Sequence, residues 1–229
     1  MRDKRKDQTY FEDYITQEEM RITKFQAKLD AGEVRPDRIV PVREKIVSLK
    51  FQVLIAKYSM GESVEALKEE YVDLLGEIEK YWRFEMYTNT MWMVSLAILL
   101  DVDRKVVEAF ITEVKKYYSE EWLMSFLLSY YADKELEIGK KVLFEKPYGK
   151  LKEIVAIKSD GERVSKLKKY LQEDWYKGHK DAGWYDVHRC EEKLYFGYWS
   201  FESAAIVKIL GLQDEALKDV SYYPLDLVQ

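Results

Sequence analysis

Apolar side chains recur along this chain at three- and four-residue spacing, and polar ones fill the positions between them. Val64, Leu67, Tyr71, Leu74, Leu75, Ile78, Tyr81 and Trp82 fall on one side of a helix, with Ser63 placed to cap it. Val47, Phe51, Leu54 and Tyr58 mark the helix before it, which Met60-Gly61 is expected to end. Val106, Val107, Phe110, Ile111, Val114, Tyr117 and Tyr118 form a further stripe behind Asp103. Trp122, Leu123, Phe126, Leu127, Tyr130 and Tyr131 form the next, with Ser119 as its expected cap. An N-terminal helix is predicted from about Asp7 to Ala31, before Gly32 and the prolines Pro36 and Pro41.

The second half is more broken. A Lys-rich helix is predicted from about Gly161 to Gln172. Trp175 to Val187, with Gly178 and Gly183, reads as a loop, and one or two helices lead from His188 to Leu210. No window shows sustained strand alternation, and no repeat of fixed period is visible. The pattern predicts an all-α fold: a bundle of roughly eight to ten helices in two packed modules, residues 1–133 and 134–229. The boundary is placed near 132–150, where Gly139, Pro147 and Gly149 interrupt the periodicity.

Charge sharpens that boundary. Residues 1–133 hold 20 basic and 25 acidic side chains, residues 134–169 hold 11 and 6, and residues 170–229 hold 6 and 11. Acidic flanks do not suit a nucleic-acid binder, which needs a basic face to displace counterions. They suit a basic protein partner. With 229 residues and 47% apolar side chains, a substantial core is expected. The lone cysteine, Cys190, has no internal disulfide partner, which fits a reducing cytoplasm. The basic start Arg2-Asp3-Lys4-Arg5-Lys6 leads into no apolar run and is expected to fray in solvent rather than act as a secretory signal. The longest apolar stretch, Met91 to Leu100, is half of the ~20 residues that a membrane span needs, so no membrane partner is expected.

Groups able to do chemistry are few. His188, with Glu191 and Glu192 at i+3 and i+4 and Asp186 nearby, is the best constellation. It lacks the second histidine of a zincin and the paired Glu-x-x-His motifs of a di-iron bundle. A helical enzyme centred on His188 is therefore the weakest reading, and a hydrogen-bonded structural histidine the stronger one. Glu18-Glu19, Glu69-Glu70, Glu120-Glu121 and Glu191-Glu192 read as ordinary solvated carboxylates. No catalytic residue, metal site or cofactor is expected.

One polar pattern stands out. Glu65, Glu69, Asp73 and Glu77, preceded by Glu62, line the side of the predicted helix opposite its apolar stripe. Like charges at i,i+4 oppose the helix by roughly 1 kcal/mol in all. A solvated outer face explains the ridge; so does a surface matched to a basic groove on a partner. These five acids are the candidate partner-binding residues.

The most particular stretch is Gly197-Tyr198-Trp199-Ser200-Phe201-Glu202, followed by Ala204-Ala205, Lys208-Ile209-Leu210-Gly211-Leu212, Leu217-Lys218 and Tyr222-Tyr223-Pro224. Trp184-Tyr185-Asp186 and His188 precede it. None of these side chains is expected to do acid, base or nucleophilic chemistry, and the tail from Tyr222 to Leu227 is expected to fold back over the last helix. The stretch resembles the C-terminal module of the PoNi-type immunity proteins, which neutralise polymorphic nuclease effectors of bacterial toxin systems, including those delivered by type VI secretion. The resemblance marks Trp184, His188, Tyr198, Trp199, Phe201, Tyr222, Tyr223 and Pro224 as structural signature. It departs at Leu225, where relatives tend to carry an aromatic residue. It implies an all-helical, non-enzymatic protein of the producer's cytoplasm that binds and blocks a cognate DNase toxin. A helical adaptor for some other protein is the alternative.

Overall fold

The computed structural model describes residues 1–132 and 137–228. It is all-α: among the described residues the only strand-like pairing is one isolated bridge between Glu121 and Lys141. The chain divides into two compact units, one of Met1–Arg83 with Asp186–Tyr198, the other of Phe84–Tyr185 with the chain from Trp199 onward. The expected boundary between residues 133 and 134 lies outside the described residues.

The first unit is built on three long helices, α1 (Gln8–Asp30), α2 (Ile39–Met60) and α3 (Val64–Tyr81). The Asp7 carboxylate caps α1 by accepting from the Tyr10 amide at 2.8 Å. Helix α2 packs against both α1 and α3, and its apolar positions are buried on several sides: Ile46, Val47, Leu49, Phe51, Val53, Leu54 and Ile55. It ends at Gly61 in the left-handed region, φ 116°, where the glycine amide reaches back to the Lys57 and Tyr58 carbonyls.

The N-terminal segment does not fray. The Arg2 guanidinium donates to the Tyr58 and Glu62 carbonyls at 3.0 and 2.6 Å, and the Arg2 and Asp3 amides both reach the Ser59 carbonyl. Asp3 is buried, accepting from the Arg5 amide at 2.8 Å and from the Tyr195 hydroxyl. The sequence missed this because a charged, mixed-sign stretch carries no periodic signal.

Residues 186–198 complete the unit. The Tyr195 amide donates to the Tyr10 hydroxyl at 3.0 Å, and the Ser59 hydroxyl donates to the Phe196 carbonyl at 2.8 Å. Except for a 3₁₀ turn at Val187–Arg189, this segment is not helical. The helices expected from His188 onward therefore begin only at Phe201. Gly197, at φ 124°, and the run of large aromatic side chains favour an extended path.

The second unit is centred on α4 (Tyr87–Leu99), buried on every side from Thr90 onward, as the nearly all-apolar run after Thr90 demands. Around it run α5 (Arg104–Tyr118), α6 (Trp122–Leu128), α7 (Glu145–Ala156) and α8 (Asp160–Tyr170). Helix α8 passes through a π turn at Leu171–Trp175 into the short α9 (Tyr176–Gly178), and the unit closes with α10 (Phe201–Leu210) packed along α4. Asp103 caps α5, as its position predicts. Ser119 does not cap α6. Glu121 does, accepting from the Met124 amide at 2.7 Å, since the chain makes one more turn after α5. The tail does fold back. The Ser200 amide donates to the Tyr222 carbonyl at 2.8 Å, Tyr223 and Leu227 are buried, and the Tyr223 hydroxyl donates to Asp214 at 2.9 Å.

Candidate partner-binding face

Helix α3 starts at Ser63, whose hydroxyl accepts from the Ala66 amide at 3.2 Å. Its buried stripe is Leu67, Tyr71, Leu74, Leu75 and Ile78, so one side is committed to the core. The acids occupy the other side but not on equal terms. Glu65, Glu69 and Asp73 are exposed, and among the described residues no ion pair engages them. Glu77 is half-buried and pairs with Lys50 of α2. Glu62 turns back on the chain, its carboxylate accepting from the Ser63 amide at 2.9 Å.

Beside the ridge a groove of about 430 Å³ lies among the three helices. Glu19, Glu70, Asp73 and Glu77 line it with Lys50 and Lys57, above an apolar floor that includes Val53 and Leu54. Lys57 pairs with Glu70 at 2.9 Å and with Glu19 at 3.5 Å. Burial works to lower the Lys57 pKa, but these two carboxylates prevail and leave it raised. Both groove lysines are thus held by carboxylates, and the unopposed charge of the face is negative. Such a face can attract a basic surface from a distance.

The signature residues fall into two clusters. In the first unit, the His188 amide donates to the Tyr198 hydroxyl at 3.3 Å, and His188 Nδ1 shares a hydrogen bond with that hydroxyl at 3.0 Å. The rings meet edge-on at 5.4 Å. Burial first, then the Arg189 charge, lowers the His188 pKa. Because His188 sits on a 3₁₀ turn rather than a helix, the i+3 and i+4 relation to Glu191 and Glu192 does not bring them together; both acids are exposed, as is Cys190. The contacts that hold His188 are those with Tyr198 and Tyr195. Among the described residues no group of three or more His, Cys, Asp or Glu side chains is placed to hold a metal ion.

In the second unit Trp184 lies against Trp175, His179 and Trp92, at ring separations of 5.7, 4.8 and 5.7 Å. Tyr222 stacks on Tyr176 at 5.4 Å and 4°. Trp199, Phe201, Tyr223 and Pro224 are buried around the start of α10. His179 Nδ1 faces the Trp175 carbonyl at 2.7 Å. A carbonyl can only accept, so Nδ1 carries the proton and Nε2 accepts from the Tyr148 hydroxyl at 3.0 Å. Burial pushes the His179 pKa down to about 4.

Four acids depart from expectation. Glu202, inside the signature run, is fully buried, and burial pushes its carboxyl up to about 7, against hydrogen bonds that work the other way. The run therefore does contain a group that titrates near neutrality. Its only trace in the sequence is a carboxylate in the first turn of a mostly apolar helix, which a surface position would equally explain. Glu121 is also buried and raised by burial, and Glu18 is buried with Arg21 donating to both its oxygens at 2.8 Å. Glu70 is half-buried and paired with Lys57. Glu202, Glu121 and Glu18 are not solvated positions, and Glu70 is only partly so.

Comparison with known proteins agrees with this architecture. The N-terminal model of the PoNe immunity proteins (PoNi) matches residues 2–112, and the C-terminal model matches residues 119–227. The crystal structure of protein PA2201 from Pseudomonas aeruginosa superposes with a TM-score of 0.68 over 93% of this chain and 87% of that one, at 16% identity, which is a likeness of fold. Curated protein sequences give no significant match.

Proposed function

Since the chain belongs to the PoNe immunity protein (PoNi) family, we propose that it protects the cell that makes it by binding a nuclease toxin encoded beside it and blocking that toxin stoichiometrically. The observation that carries this reading is the family match across both halves of the chain. Physical chemistry supports the choice of target. A DNase must present a positive groove to its substrate, and the exposed Glu65, Glu69 and Asp73 of α3 offer that groove a row of carboxylates at one-turn spacing. The adjoining groove, with its paired lysines, adds relief without adding positive charge. No helix among the described residues is long and apolar enough to cross a membrane; in this reading the protein works in the cytoplasm, where it would meet a toxin before export.

Inhibition in this reading needs no turnover. The ridge speeds encounter, and close packing elsewhere on the surface sets residence time. The decisive experiment is co-expression with the neighbouring toxin, scoring survival and the integrity of chromosomal DNA. Rescue is expected. Failure to rescue from a toxin that kills alone would sink the assignment, and rescue with intact toxin but no DNA damage in its absence would move the target away from a DNase.

A further inference from the structure

Ion pairs fix the register between α2 and α3. Lys57 pairs with Glu70 at 2.9 Å, and Lys50 pairs with Glu77. Seven residues back along α2 and seven forward along α3 lead from one pair to the other, so the helices run antiparallel and the pairs stand about 10 Å apart along them. Midway, the register sets Val53 and Leu54 of α2 opposite Asp73 and Leu74 of α3. Each end of this ladder thus matches a cation to a carboxylate, while the middle rung has a carboxylate and no cation. Asp73 is exposed, and among the described residues no ion pair engages it.

The groove beside the ridge opens over that middle rung. Its lining holds four carboxylates against two lysines. Both lysines are already committed, Lys57 to Glu70 and Glu19, Lys50 to Glu77. The floor residues Val53, Leu54 and Leu74 are only 4–5% exposed, so little apolar area is left for a docking helix or sheet. What the groove presents is an apolar bed, walled by the half-buried Ile22 of α1, under one unmatched carboxylate.

We infer that the groove takes the side chain of a single arginine of the cognate toxin, its guanidinium on Asp73 and its aliphatic stem along Ile22 and Leu74. The inference rests on the immunity reading above and deepens it. The excess of carboxylates selects a cation, and their arrangement selects a forked one. Both oxygens of Glu70 accept from Lys57, at 2.9 and 3.0 Å, but Lys50 donates to Oε1 of Glu77 alone. Glu77 Oε2, one helical turn from Asp73, is placed to accept a second N–H of the same guanidinium. A lysine would bring one strongly hydrated point charge, whereas arginine sheds water more readily and can bridge two carboxylates. The ion pairs at either end already hold the walls, so little further ordering is needed when the side chain enters. The ridge speeds encounter, and the groove beside it holds the partner once met.

Binding kinetics of the full chain with the purified toxin test the site. Asp73→Asn keeps the side-chain volume, disturbs no buried contact, and should dissociate about tenfold faster. Glu65→Gln makes the same charge change on the ridge but outside the groove lining, and should slow association with dissociation within about twofold of the unaltered chain. Among toxin variants in which one arginine is replaced by glutamine, one should dissociate at the same rate from the unaltered chain and from Asp73→Asn. If a lysine-to-glutamine toxin variant does so instead, the occupant is a lysine and the arginine assignment falls. Equal dissociation of the unaltered chain and Asp73→Asn from the unaltered toxin overturns the site and leaves the immunity reading standing. Absence of toxin binding by the unaltered chain overturns both. A concentration-dependent doubling of mass, lost in Asp73→Asn, would replace the toxin with a second copy of this chain.

Discussion

Trp175 donates its indole N–H to Glu202 Oε1 across 2.6 Å, and both side chains are buried in the second unit. The Ser200 hydroxyl donates to the same oxygen at 2.7 Å. No lysine or arginine among the described residues pairs with this carboxyl. Two hydrogen bonds make its burial tolerable, and they also tie the π turn to the first turn of α10, so the signature residues Trp184, Phe201 and Tyr222 are positioned around one polar bond.

Glu202 gives the fold a pH dependence of definite sign. Its folded pKa, about 7, lies above the 4.5 of a free glutamate, so between those values the native state holds more protons than the unfolded one. Stability must fall as pH rises through that window, by about 3 kcal/mol for this group alone, and level off above it. Glu202→Gln should remove the slope. Denaturant unfolding of both proteins at pH 5 and pH 8 measures it; an equal difference at the two pH values would refute the assignment.

His179 acts in the opposite direction. Its pKa, lowered from 6.5 to about 4, means that the unfolded state takes up the proton first on acidification. Stability is lost progressively as pH falls from about 6.5 to about 4. The ring signal of His179, followed by NMR, should stay that of a neutral imidazole at pH 5.

Asp3 closes the first unit, and its loss should be felt at once. Asp3→Ala leaves the Tyr195 hydroxyl and the Arg5 amide without their shared acceptor, and about 1–3 kcal/mol of stability should go with it. Thermal unfolding checks this; a change within error would show that the N-terminal segment is dispensable.

Gly61→Ala should destabilise for two independent reasons. The residue sits at φ 116°, which a side chain disfavours, and a Cβ there would meet the Met1 backbone nitrogen at 2.9 Å. A loss of more than about 1 kcal/mol is expected by denaturant titration.

Reversing Glu65, Glu69 and Asp73 to lysine should slow toxin association at low salt, with the difference shrinking as salt rises. The 65–69 and 69–73 pairs stay like-charged in this variant and only the 73–77 pair turns attractive, so its thermal unfolding should lie close to the parent's. Unchanged association at low salt would rule the ridge out.

Much of the helical architecture was legible in the sequence. Helices α1, α2, α3 and α5 announce themselves by helical spacing or by recognisable ends: Asp7, Gly61, Ser63 and Asp103. The segment from His188 to Ser200 was not legible as non-helical. Its aromatic residues are set by contacts with Asp3, Tyr10 and Ser59, nearly the whole chain away, and local spacing holds no record of them. The candidate site was legible only as charge. Which ridge acids stand free was decided by Lys50 on a different helix.

The return of residues 186–198 to the first unit has a consequence for biosynthesis. The chain that emerges first cannot acquire its closing strip until some hundred further residues have been made, which at 5–20 residues per second takes about 5–20 s. During that interval α1, α2 and α3 exist without Tyr195 over Asp3 or Phe196 over Ser59. A fragment ending at residue 112, where the N-terminal family match stops, would stay in that unclosed condition permanently. The N-terminal family half therefore lacks, by itself, the segment that closes its own unit.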